Sequence, residues 1–204
     1  MQSDEKLAVT AKVSNMASYE EAVNSFNWAD VEQRFTWSTT GKVNMAHEAI
    51  DRHLAEGRGD KVALHYSDNH REESYTFADL SKQSNRFANV LRGLGVGKGD
   101  RVFIFMPRTP ELYFSLLGTI KVGAVVGPLF EAFMETAVRD RLQDSGAVAL
   151  ITTPALLSRV PRAELPELKH VLVYGDSVEE GDGIIDFSKA MAGASEEAEV
   201  TFLE

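Results

Sequence analysis

The stretch TPELYFSLLGTIKVGAVVGPLF, residues 109 to 130, constrains this chain more than any other. It is either a membrane span or two consecutive elements of a packed core. A spanning helix needs about 20 consecutive apolar residues. Here Lys121, Gly118, Gly123, Gly127 and Pro128 interrupt the run, so a span would be short, broken and charged. It divides better in two. Thr109 suits an N-cap, Pro110 the first helical position, and Glu111 the positive end of the helix. Leu112, Tyr113, Leu116, Leu117 and Ile120 follow at the spacing of one broad apolar face, and Gly123 is a helix stop. AVVGPLF then reads as a short strand buried on both faces.

From residue 61 onward the hydrophobic period keeps switching. KVALHYSDNHREESYTF gives two alternating stretches about a turn, which predicts a β-hairpin. Thr76 with Asp79 predicts a capping box. Leu80, Phe87, Val90, Leu91 and Leu94 supply the buried stripe of the following helix. RVFIFMP is a strand ended by Pro107, and the 109–122 helix and the 124–130 strand come next. A helix near 134–145 closed by Gly146, the strand VALIT, a short helix in TPALLSRV, the strand HVLVY and a helix in IDFSKAMAG complete the series. This alternation predicts an α/β fold: a largely parallel open sheet with helices on both faces, preceded by a β-hairpin.

Residues 1–43 show no sustained period beyond a short helix near SYEEAVNSF. They read as a partly irregular N-terminal extension, and residues 44–204 as the α/β unit. In NMAHEAIDRHL, Asn44 is placed to cap a helix whose inner face holds Met45, Ala49, Ile50 and Leu54. The acidic SEEAEVTFLE segment has no cap, turn or completed crossover, which suggests a piece of a longer protein.

The 204 residues contain no cysteine, which excludes thiol nucleophiles, disulfides and thiolate metal sites and fits a cytoplasmic protein. A formal charge of −10 argues against general nucleic-acid binding, which needs lysine and arginine on the phosphates. MQSDEKLAVTAKVSNM shows no basic start followed by an apolar run, so neither a signal peptide nor membrane attachment is expected.

Three motifs need weighing. GLGVGKGD has the wrong glycine spacing for a phosphate loop and lacks the Ser or Thr after its lysine. It follows a helix and reads as a C-cap and turn. His47 and His53, six residues apart, stand about 120° apart on a helix, which does not chelate a metal well. Arg159 and Arg162 are close enough to converge on one anion, or form a solvated pair on a loop. Spacing alone assigns no catalytic group.

The order of segments resembles the N-terminal region of the AMP-forming acyl-CoA synthetases, the adenylate-forming superfamily. SYTFADLSKQSNRFANVLRGLGVGKGDRVFIFMP is similar to the family's early segment, and PELYFSLLGTIKVGAVVGPLF to its second. NMAHEAIDRHL and GPLFEAF point to the acetyl-CoA synthetase branch. The likeness runs from about Asn44 to Tyr174. It implies an acetate–CoA ligase whose intact form takes acetate, ATP with Mg2+, and CoA as small-molecule partners. The Arg-x-x-Arg pair that contacts the CoA 3′-phosphate in that branch falls on Arg159 and Arg162. The turn beside its CoA channel falls on Phe130, Glu131, Ala132 and Phe133, where Glu131 and Ala132 replace the family's glycines. No catalytic residue and no metal ligand maps onto this chain. The phosphate loop ending in Pro-Lys-Gly and the mobile domain with the catalytic lysine have no counterpart in it. The resemblance therefore implies an N-terminal fragment, inactive alone, with no tightly bound cofactor and with the rest of the enzyme as its partner. A stand-alone CoA- or nucleotide-binding module, or a partner-binding α/β module without catalysis, are the alternatives.

Overall fold

Along three neighbouring strands the side chains part cleanly to two sides, and this parting organises the protein. In a computed structural model describing Met16 and residues 18–204, strands β3 (Arg101–Phe105), β5 (Ala149–Thr152) and β6 (His170–Val173) lie parallel at the centre of a sheet. Two further strands, β4 (Val125–Pro128) and β7 (Ile184–Asp186), form its edges, and the spatial order is β4-β3-β5-β6-β7. Val102, Ile104, Ala149, Ile151 and Leu172 face one side; Phe105, Leu150, Val171 and Val173 face the other. Successive strand residues point to opposite faces, so a run apolar at every position must be covered twice.

The covers come from the crossovers. Helices α5 (Phe77–Gly93), α6 (Pro110–Lys121) and α9 (Phe187–Gly193) pack on the first side through Leu80, Phe87, Leu91, Phe114, Phe187 and Met191. Helices α7 (Glu135–Ser145) and α8 (Pro154–Leu157) pack on the second through Val138, Leu142 and Leu156. Strand β3 passes through α6 to β4 on one flank, and β4 returns through α7 to β5 on the other. Right-handed crossovers running in opposite directions place these two helices on opposite faces.

The hairpin is β1 (Val62–Ser67) paired antiparallel with β2 (Glu72–Thr76). Thr76 and Asp79 form the predicted capping box at the start of α5. Ahead of the hairpin lie α1 (Tyr19–Ser25), α2 (Trp28–Glu32) and α3 (Trp37–Thr40). A π-helical turn at His47–Asp51 then runs into α4 (Arg52–Ala55). No helix of the described residues is long and apolar enough to cross a membrane.

Four local expectations change. The inner face of α6 is not its leucine stripe. Ser115, Thr119 and Lys121 are fully buried, with Phe114 and Gly118 beside them, while Leu112, Leu116, Leu117 and Ile120 are half-buried and Tyr113 is exposed. The small residues let α6 approach α5 closely: a Cβ on Gly118 would stand 2.7 Å from the Ser84 carbonyl oxygen and 2.9 Å from Phe87. Ser115 and Thr119 donate their hydroxyls to carbonyls four residues back, so the polar face is buried satisfied. Thr109 occupies the N-cap position, but its hydroxyl makes no capping bond. Strand β4 is an edge rather than a doubly buried strand, and Val125 is 56% exposed.

In residues 45–54 the π turn rotates the face. Ala46, Glu48 and Ile50 point inward, while Met45, Ala49 and Leu54 are exposed. Asn44 does cap this segment, its Oδ1 accepting from the Ala46 and His47 amides.

Lys121, at the end of α6, ties this segment to the helices. Its Nζ donates to Asp51 Oδ1 at 2.8 Å, Asn85 Oδ1 at 2.7 Å and the Ser81 carbonyl at 3.4 Å. Burial pushes the amine's pKa down, and Asp51 pulls it back.

Candidate functional site at the carboxyl edge of the sheet

Because the chain leaves β3 toward β4 and reaches β6 from β5, the strand order reverses between β3 and β5. In open parallel sheets the crevice at such a reversal, outside the carboxyl ends of the strands, is where ligands bind. Two buried hydroxyls flank it, Thr152 Oγ1 at the end of β5 and Thr109 Oγ1 after β3. Neither has a partner among the described residues.

The hairpin is stapled to this edge. Asp68 turns it, its Oδ1 accepting from the amides of His70 and Arg71. The Tyr66 hydroxyl and those two amides hold the Asp68 carboxyl down at about 2. So placed, Arg71 donates from Nη2 to Glu111 Oε2 and from Nη1 to Glu73 Oε1, each at 3.3 Å. Glu73 also accepts from the Tyr75 hydroxyl at 2.8 Å, and the Tyr75 ring meets Phe114 edge-on at 5.3 Å. Glu111 is buried in the first turn of α6, where the positive helix end favours a carboxylate. Burial, with Glu111 beside it, pushes the Tyr174 phenol up. Nothing local in the sequence pairs Arg71 with Glu111; the one available signal is an acidic residue at a helix start following a strand.

On the side toward β4 the edge is open. A cleft of ≈ 220 Å³ there is lined by Met106, Arg108, Leu112, Pro128, Leu129, Phe130 and Glu131. Strand β4 can lie under the Phe103 ring because position 127 is glycine: a Cβ there would stand 2.5 to 2.8 Å from three ring carbons. The turn from Phe130 to Phe133 follows, closed by the Phe133 amide donating to the Phe130 carbonyl at 2.9 Å. The rings of Phe130 and Phe133 meet edge-on at 5.9 Å, and the Arg141 guanidinium lies 4.2 Å above the Phe133 ring.

Arg159 and this turn are brought together. Arg159 Nη1 donates to the carbonyl of Glu131 at 2.9 Å and to that of Phe133 at 3.3 Å. Arg162 takes other partners. Its guanidinium bonds the Asp182 carbonyl and stands 3.5 Å from the Asp182 carboxylate, while its buried Nε has no partner among the described residues. Glu131 is exposed, and its carbonyl rather than its carboxylate meets Arg159. The arrangement presents guanidinium, backbone and aromatic surface together, which suits an anionic ligand with an apolar arm.

The two histidines have aromatic neighbours. His47 lies 5.1 Å from the Phe202 ring and His53 4.6 Å from the Phe77 ring. Burial lowers the His53 pKa.

Comparison with known proteins gives a consistent picture. The profile described as AMP-binding enzyme matches residues 51–200. An acetyl-coenzyme A synthetase of Bacillus subtilis is 52% identical over 191 residues, 93% of this chain and 33% of that protein. A 3-hydroxypropionyl-coenzyme A synthetase of Metallosphaera sedula is 37% identical over 153 residues, 68% of this chain and 23% of its own length. A crystal structure of a Brucella canis acyl-CoA synthetase superimposes with a TM-score of 0.79 at 32% identity, covering 93% of this chain and 34% of that one. The chain thus spans about a third or less of the length of these relatives.

Proposed function

The chain belongs to the AMP-binding enzyme family, and from that premise we propose that it supplies the N-terminal α/β part of an AMP-forming acyl-CoA synthetase acting on acetate. In that reaction the acetate carboxylate attacks the α-phosphate of Mg-ATP. The oxygen bridging the α- and β-phosphates leaves with pyrophosphate, and acetyl-adenylate forms. The CoA thiolate then adds to the acyl carbon, and AMP departs as CoA takes the acetyl group. The first step depends on neutralising phosphate charge. No Pro-Lys-Gly tripeptide occurs in this sequence, and we assign that role to other parts of the enzyme.

This chain's own contribution is to hold CoA. What supports this reading is the open cleft beside the 130–133 turn and the Arg159 guanidinium bonded to that turn. The 3′-phosphate is assigned to the two arginines and the thiol arm to Phe130 through Phe133. The observation that carries the acetate assignment is the 52% identity to the Bacillus subtilis enzyme. A cytoplasmic location, where ATP and CoA are held, goes with the same reading.

The test is acetate-dependent exchange of pyrophosphate into ATP by the protein as its gene encodes it, followed by acetyl-CoA and AMP formation when CoA is added. Exchange driven better by 3-hydroxypropionate, or no exchange with either acid, overturns the acetate assignment. The 204-residue chain alone is expected to show none; turnover by it would place the phosphate-binding groups within these residues.

A further inference from the structure

A guanidinium has five donors in a rigid plane. In Arg159 the Nη1 amino group is engaged by two carbonyls of the same turn, those of Glu131 and Phe133. Its Nε and Nη2 make no hydrogen bond among the described residues. That remaining edge is the fork that matches two oxygens of a phosphate. The side chain is half-buried, so the bonded edge sits in protein while the residue still reaches solvent. The turn it braces has few other bonds to hold it. Strand β4 ends at Pro128, and Phe130 is 58% exposed. Inside the turn, the amide of Phe133 donates to Phe130. Two glycines would let such a turn bend freely, whereas Glu131 and Ala132 stand here.

We propose that Arg159 is two-sided: its Nη1 edge fixes the 130–133 turn that forms the wall of the CoA channel, and its Nε–Nη2 edge receives the CoA 3′-phosphate. One planar group then couples phosphate recognition to the shape of the channel about the thiol arm. Arg162, turned to Asp182, has no part in the brace. The phosphate half of this inference rests on the CoA reading above; the brace does not.

Two measurements separate the halves. In the unliganded protein as its gene encodes it, hydrogen exchange at the Phe133 amide should quicken roughly fivefold or more in Arg159→Ala, because each lost bond is worth about 1 kcal/mol. It should stay unchanged in Arg162→Ala. Exchange at Ile151 in β5 serves as the internal reference for an intact fold. Arg159→Lys, with one ammonium that cannot reproduce the planar fork, should also quicken Phe133. Unchanged exchange in both Arg159 variants, or equal quickening in Arg162→Ala, overturns the brace.

In the complete enzyme, Arg159→Ala should raise KM for both CoA and dephospho-CoA, and for CoA the more, so that the preference between them narrows. Arg159→Lys should keep the preference while KM for both rises. A dephospho-CoA KM unmoved by Arg159→Ala overturns the coupling and leaves Arg159 a phosphate ligand only. A wild-type enzyme that does not distinguish CoA from dephospho-CoA overturns the phosphate edge, and the exchange result still decides the brace.

Discussion

The parallel sheet and the C-terminal segment that crosses α5 are held together by opposite means. In the sheet, backbone meets backbone along each strand pair, and apolar side chains fill both faces. Residues 194–203 have no such ladder beyond a single bridge between Leu203 and Val43. Side chains of one helix bind their carbonyls instead. Asn85 donates to Glu196, Asn89 to Ser195 and Glu197, Arg86 to Ala194 and to the end of α9, and Arg92 to Glu199. The Thr201 amide donates to the Lys121 carbonyl, and Asn44 Nδ2 reaches both Ile120 and Thr201. Backbone polar groups must find partners wherever the chain runs. A regular strand finds them in its neighbour, whereas an irregular strap needs a helix face that looks, in sequence, like solvated surface.

The sharpest way to break the contrast is at the core. Gly118→Val should cost about 3 kcal/mol in urea unfolding, because Ser84 and Phe87 belong to a packed helix that cannot yield. An unchanged midpoint would mean that α5 and α6 are not in close contact. Next comes the buried charge at the end of α6, which ties that helix to α5 and the π-helical turn. Lys121→Met should cost about 2 kcal/mol, the worth of a hydrogen bond to a charged group, since Asp51 keeps only its Ser81 partner at the shared oxygen. Asp51→Asn with Lys121→Met should cost less than the two single changes added together, which a double-mutant cycle measures.

The strap should respond more weakly and more locally. Asn89→Ala removes two bonds and should lower global stability by about 1 kcal/mol. It should speed amide exchange through 195–199 without affecting Ile151. The smallest effect is acid sensitivity. The Arg86 hydrogen bond, with Lys82 nearby, holds the Glu196 carboxyl below the usual carboxylate range. A depressed carboxylate contributes stability above its unfolded pKa and loses it as pH falls through the folded one. Protection of residues 195–199 should therefore drop as the pH falls through and below the usual carboxylate range while that of β5 persists. Equal loss in both would make the strap part of the sheet's cooperative unit.

The same contrast marks what was legible beforehand. Strands β3, β5 and β6 announce themselves because RVFIF, ALIT and HVLV are apolar at nearly every position. Thr76, Gly123 and Gly146 mark helix boundaries through local chemistry alone. The face of α6 did not follow from its leucines, because Gly118, Ser115 and Thr119 matter through the approach of α5, which no local period records. At the candidate site, the residue types of Arg159 and the 130–133 turn were visible. Their pairing, and the separation of Arg162 toward Asp182, were not.

Local sequence, then, settled the alternation of strands and helices and the need to cover the sheet on both sides, since backbone preference and hydrophobic period act over a few residues. Tertiary structure decided which helix face is inward, which strand is an edge, and what each arginine binds. Those outcomes depend on groups brought together from 40 residues away between Arg71 and Glu111 and 157 between Asn44 and Thr201, distances over which the chain's periodicity says nothing.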